Sequence, residues 1–160
     1  MSAVLLIFSS PTCGHCKDYF EQHHPHLVDI LKRDSRVRIE VLTFNGEKYI
    51  SNTGFDVHPD VYRKGWGTFT PQFALVTAIS WSNHRTELKG FVMGLITPGS
   101  EQEGAEEYTN DPSKIYEWIL LKLKQEPFIS RAAPKRVGTS QPSDKPGTRS
   151  RYDGVYTSRQ

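Results

Sequence analysis

The sequence predicts an α/β domain built in the order β-α-β, then β-β-α, followed by an extended C-terminal tail. Three observations carry that expectation. Val4-Leu5-Leu6-Ile7-Phe8 is an unbroken apolar run, as a strand covered on both faces requires. Residues 36–44 alternate, with Val37, Ile39 and Val41 opposed to Arg38 and Glu40, the pattern of a strand with two unlike faces. The stretch between them has room for a helix, and strand–helix–strand implies a right-handed parallel crossover.

The connecting helix is expected from about Cys13 to Arg33, with Tyr19, Phe20, Leu27, Ile30 and Leu31 on its inner face. Pro25 falls inside it and predicts a kink or restart near His24, because proline removes a helical hydrogen bond and crowds the preceding turn. Residues 45–56 read as a loop, with turn signals at Asn45-Gly46 and Thr53-Gly54. A short helix follows over Pro59–Lys64, proline first and Gly65 just past its end. Pro71 then opens a strand over Gln72–Ile79. A turn at Asn83-His84 leads to a last strand over Thr86–Met93, and the two strands read as an antiparallel hairpin. Residues 99–111 form an acidic loop containing Glu101, Glu103, Glu106 and Glu107. Asp111 caps a final helix that starts at Pro112, with Tyr116, Ile119, Leu120 and Leu123 as its apolar stripe.

A chain of 160 residues is large enough for one domain with a real core, but a hydrophobic fraction of 36% is low for a chain that is globular throughout. The formal charge of +2 conceals an asymmetry. Residues 131–160 hold seven Lys/Arg and two Asp/Glu, a balance of +5, which leaves −3 for the remainder. The division is therefore a domain over 1–126 and a basic, proline-containing tail over 127–160. Pro127, Pro134, Pro142 and Pro146 punctuate that tail, and few large apolar side chains are available to offset its ordering entropy. It is read as an arm that docks on a protein partner, with Arg149, Arg151 and Arg159 pairing acidic surfaces. Its charges are sparse, with no interleaved aromatics before Tyr152 and Tyr156, so nucleic acid is not the expected partner. No segment approaches the ~20 apolar residues of a membrane span. The N-terminal run lacks a basic leader and is shorter than a secretory core of ~7–15 residues. A cytoplasmic setting is expected, with a virion as the alternative.

The chemistry concentrates in Cys13-Gly14-His15-Cys16, which contains the only two cysteines of the chain. At i and i+3 in a first helical turn their side chains share a face, so a small rotamer change lets the sulfurs bond or separate. A helix start also favours a thiolate, and in a reducing compartment such a pair is usually catalytic. An imidazole at His15 favours that thiolate further. Zinc is the rival reading, with Cys13, Cys16, His23, His24 and His26 as donors. The spacing from Cys16 to His23 is too short for the usual loop between ligand pairs, and both pairs would lie along one helix. No metal is therefore expected, and the three histidines read as a solvated face. Trp66, between two glycines and near Pro71, reads as a substrate platform or as a partly buried anchor. Trp81 and Trp118 read as packing residues.

With the Cys-x-x-Cys after the first strand, Lys17 behind it and Thr70-Pro71 before the third strand, the chain resembles the thioredoxin superfamily over roughly residues 3–126. Gly14-His15 looks like the dipeptide of protein disulfide isomerase domains, and Ser9-Ser10-Pro11-Thr12-Cys13 looks like the approach in a glutaredoxin. The resemblance implies a three-layer thioredoxin-like fold and thiol–disulfide exchange with protein substrates, without a cofactor. It implies Cys13 as exposed nucleophile, Cys16 as buried resolving thiol and His15 beside them. Pro71 would be cis and face the disulfide, with the Thr70 backbone pairing a substrate strand. Thr12 stands where thioredoxins usually keep a tryptophan, Ile7 where they bury an acid, and no Gly-Gly-Asp glutathione signature follows the hairpin. A reading from another class is a structural component of a large assembly, such as a viral capsid protein, that uses the same fold with the tail as its docking arm.

Overall fold

Every side chain of β1 (Ala3–Ser9) is buried, which is why that segment carries no polar alternation before its last residue. The computed structural model describes residues 2–94 and 107–129. Within them β2 (Val37–Phe44), β3 (Tyr49–Ser51), β4 (Gln72–Thr77) and β5 (Gly90–Met93) join β1 in one sheet of order β3-β2-β1-β4-β5. Only β1 and β2 run parallel, with Leu5 opposite Ile39. β1 meets β4 antiparallel, with Leu5 opposite Leu75.

Alternation along β1 divides the core in two. Ala3, Leu5 and Ile7 pack with Tyr19, Leu27 and Ile119, from α1 (Gly14–Gln22), α2 (His24–Leu31) and α5 (Pro112–Leu123). Val4, Leu6 and Phe8 pack with Val61 of α3 (Asp60–Arg63), with Trp66, and with Trp81 of the helix α4 (Ala78–Ser82). The sheet is thus covered on both faces in a mixed α/β arrangement. Among the described residues no helix is long and apolar enough to cross a membrane.

The departures from expectation have local causes. The helix expected over 13–33 does restart at His24, as its proline predicts: it is two helices broken at His23, with Pro25 in the first turn of α2, where no N–H is needed. The strand expected to reach Ile79 stops at Thr77, whose hydroxyl accepts from the Ser80 N–H at 3.2 Å and starts α4. The last strand begins at Gly90 rather than Thr86, because nearby N–H groups bond elsewhere. Leu88 donates to Asp60 Oδ2 at 2.6 Å and Lys89 to Ser80 Oγ at 3.1 Å. The expected loop over 45–56 contains β3, antiparallel to β2 with Ile50 opposite Thr43. The short helix is Asp60–Arg63, with Pro59 as its cap.

The start of α5 is as expected, with Asp111 Oδ1 accepting from the Ser113 N–H at 2.9 Å. Its buried stripe is instead Ile115, Trp118, Ile119 and Lys122, turned from the expected one, while Tyr116, Leu120 and Leu123 are half-buried. Lys122 buries its stem and sets Nζ 4.9 Å from the Phe91 ring centroid. Phe128 is 4% exposed and stacks on Phe91 at 5.9 Å, so the compact unit extends to Phe128. Residues 95–106, which include the acidic loop up to Glu106, and 130–160 of the tail, including Arg149, Arg151 and Arg159, lie outside the described residues.

Candidate active site at Cys13 and Cys16

The turn after β1 delivers Cys13 to the N-cap of α1, with extended backbone (φ −93°, ψ 114°) and its N–H bonded to Ser10 O at 3.1 Å. At an N-cap a side chain accepts from free backbone donors. Here the acceptor is sulfur, and the Cys16 N–H donates to Cys13 Sγ at 3.1 Å. One turn on, Cys16 points under the helix and is 3% exposed, whereas Cys13 is half-exposed. Both are free thiols.

Their environments push the two thiols apart. Burial opposes ionisation of Cys13, but hydrogen bonds from the side chains of Cys16 and Thr70 and from the backbone of Cys16 and His15 outweigh it and hold this thiol below its ordinary value. For Cys16 burial dominates, and the hydrogen bond and charge of Cys13 add to it, pushing it up to about 11. The contribution of His15 to Cys13 is made by its backbone, while its side chain is exposed.

The Thr70–Pro71 peptide is cis, and the Cys13 thiol donates to the Thr70 carbonyl oxygen at 3.1 Å. Thr70 and Pro71 thus stand beside Cys13. The loop before them is tied down by close packing. Gly67 has φ +82°, and a Cβ there would lie 2.7 Å from Tyr49 Cε2 and 2.9 Å from Phe8 Cδ1. The Tyr49 hydroxyl donates to Gly67 O, and the Gly67 N–H donates to Gln72 Oε1 at 2.6 Å. Trp66 corrects one expectation. It is 2% exposed and lies in the core half with Val61 and Trp81, so it is an anchor for this loop and presents no open face to a substrate.

A groove of about 330 Å³ runs past Pro71, lined among others by His15, Phe69, Gln72, Met93 and Tyr108. Burial pushes the Tyr108 phenol up to about 12, and negative charge on Cys16 and Cys13 acts in the same direction. Phe69, Gln72 and Tyr108 went unremarked in the sequence. The available signals were the flanks of Thr70-Pro71 and a lone aromatic after the acidic run.

The histidines expected on a solvated face divide. His26 is exposed, while His24 is half-buried between Tyr19 and Phe20 and its Nδ1 lies 2.8 Å from the Tyr19 hydroxyl. Among the described residues no three His, Cys, Asp or Glu side chains are grouped to hold a metal ion. Glu40, expected on the polar face of its strand, is fully buried. Its carboxylate accepts from Ser51 Oγ at 2.5 Å, from Thr53 Oγ1 and from Arg38 at 2.7 Å. This is a structural anchor on the β3 side of the sheet. No protein-family model matches the chain, and no match is found among curated proteins or solved structures.

Proposed function

We propose that this protein is a thiol–disulfide oxidoreductase with a three-layer, thioredoxin-like fold, exchanging disulfides with protein substrates through Cys13 and Cys16. One observation carries the reading: the two thiols, one helical turn apart, have opposite acidities and opposite exposure. The half-exposed, more acidic Cys13 suits attack, because the thiolate is the nucleophile. The buried Cys16 stays protonated until it is needed. The sheet order, with parallel β1/β2 and antiparallel β4/β5, also supports the family resemblance.

Ile7 offers no buried acid to take the Cys16 proton, but attack on a substrate itself removes one obstacle to ionisation. Part of the upward shift of Cys16 comes from hydrogen bonding and charge at Cys13. Once Cys13 is bonded to a substrate sulfur that charge is gone, and Cys16 becomes easier to deprotonate at the moment its attack is required. The cis Thr70–Pro71 segment beside Cys13 is where a substrate backbone would lie in this reading.

The deciding experiment is trapping. Cys16→Ser, mixed with a disulfide-bonded peptide, should accumulate a mixed disulfide at Cys13, identified by mass spectrometry. The natural pair should instead close to a Cys13–Cys16 disulfide and release the reduced peptide. A Cys13 that forms no adduct in the variant, together with a pair that never oxidises in dithiothreitol or glutathione redox buffers, would sink the proposal.

A further inference from the structure

Two aromatic side chains that line the groove beside Cys13 are open to water. Phe69 and Tyr108 are 48% and 39% exposed. Tyr108 is held in place, its ring stacked on Phe73 at 5.9 Å and the N–H of the following Thr109 donating to Met93 Sδ at 3.4 Å. Gly94 has φ +96°, a backbone conformation that favours glycine, and Tyr108 packs over it, its Cβ 3.5 Å from where a Cβ of residue 94 would stand. A rigid apolar wall gains more from covering an apolar ligand than a mobile one, because little ordering entropy remains to be lost.

The charge pattern is equally specific. Among the described residues, none that lines the groove is Lys or Arg. Glutathione carries carboxylates at both ends, and capturing them calls for fixed cations or forked donors. A strand of polypeptide needs neither.

We propose that this groove selects a disulfide within a polypeptide whose attacked cysteine is flanked by an uncharged aromatic or branched aliphatic side chain, in preference to glutathione disulfide. The proposal rests on the dithiol reading above. In the reaction the Cys13 thiolate attacks one substrate sulfur, the substrate S–S bond breaks, and its other sulfur leaves as a thiolate. Cys16, deprotonated, then attacks Cys13 Sγ and expels the first substrate sulfur. The substrate gains two electrons and, from the two protein thiols, two protons. Cys13 and Cys16 lose both electrons and become a disulfide. Phe69 and Tyr108 act in the first step by seating the flanking side chain.

The test is a single-turnover oxidation of the pre-reduced full chain by three probes. Two are disulfide dimers of a capped tetrapeptide, differing only in Phe or Glu next to the cysteine, and the third is glutathione disulfide. The Phe probe should react at least about tenfold faster than either of the others, the scale a well-formed apolar pocket delivers. Phe69→Lys should shrink that gap several-fold by placing a cation in the groove. Asn110→Lys, at another exposed lining position, should do the same if the first variant folds poorly. Equal rates for the three probes, a faster glutathione reaction, or a gap untouched by both lysines overturns the selectivity while leaving the dithiol reading standing. Failure of Cys13 and Cys16 to be oxidised by any probe, including neutral 4,4′-dithiodipyridine, overturns both.

Discussion

The Cys13 thiol donates to the carbonyl oxygen of Thr70 across 3.1 Å, joining the cap of α1 to the residue before Pro71 although 57 positions separate them. The carbonyl favours the protonated thiol, since a thiolate has no proton to give it. The opposing donors, led by Cys16, favour the ionised form and prevail.

Alkylation should therefore distinguish the two cysteines. With Cys16 pushed up to about 11, only ~10⁻⁴ of it is thiolate at pH 7, and it is 3% exposed. A brief iodoacetamide pulse on the reduced protein should label Cys13 at least about a hundredfold faster. Peptide mapping reads the ratio, and preferential labelling of Cys16 would reverse the roles.

His15 should act through its backbone. His15→Pro deletes the N–H beside Cys13 at a position in the first helical turn that tolerates proline. A hydrogen bond to a charged group is worth ~1.5–3 kcal/mol, so alkylation at pH 7 should slow about tenfold, and the disulfide should become harder to reduce. His15→Ala keeps the N–H and should change the rate less than threefold. Equal effects from both variants would assign the role to the imidazole.

Acid should weaken the fold in two stages. His58 is fully buried and neutral in its setting, Nδ1 accepting from the Asp60 N–H at 3.1 Å and Nε2 donating to Thr86 O at 3.0 Å. Burial lowers its folded pKa, as it does for His24. The unfolded chain thus takes up protons first, and stability present above pH ~6.5 falls below it by up to ~1.4 kcal/mol per pH unit for each such group. The carboxylates follow. Hydrogen bonds from Arg36 hold Asp34 far below the usual range, with Tyr116 adding another at 2.9 Å. Burial opposes ionisation of Glu40, but Ser51, Thr53 and Arg38 outweigh it. Both folded pKa values are depressed, so their contributions are complete above the unfolded carboxylate pKa and drain away below pH ~4. Urea titrations from pH 7 to pH 3 should resolve the stages, and His58→Gln should flatten only the first. A profile without slope between pH 7 and 5 contradicts this assignment.

The C-terminal edge of the domain should lie beyond Phe128. Phe128 is 4% exposed and stacks on Phe91, and removing a buried phenylalanine costs ~3–5 kcal/mol. Phe128→Ala and a chain ending at Glu126 should both melt well below a chain ending at Ile129. Coincident melting curves would return Phe128 to the tail.

Several features were legible because their signals are local. The unbroken apolar run of β1 required cover on two faces. Asp111-Pro112 marked the start of α5, and Cys-x-x-Cys after a strand and a turn pointed to a dithiol at a helix start. Tertiary context decided the rest. Leu88 could not pair in β5 once its N–H met Asp60, a carboxylate 28 residues upstream. Thr77 ended β4 by capping α4, a choice that its strand-forming neighbours do not reveal. The buried face of α5 was fixed by contact with the sheet, and Trp66 went inside because Gly67 let Tyr49 close over the loop. In the site itself, the sequence determined which atoms could react, since two cysteines one turn apart need only a helix to meet. The fold decided how unlike they are, because burial of Cys16 and the approach of Thr70 to Cys13 arise from segments distant in the chain, and pKa responds to three-dimensional surroundings rather than to sequence neighbours.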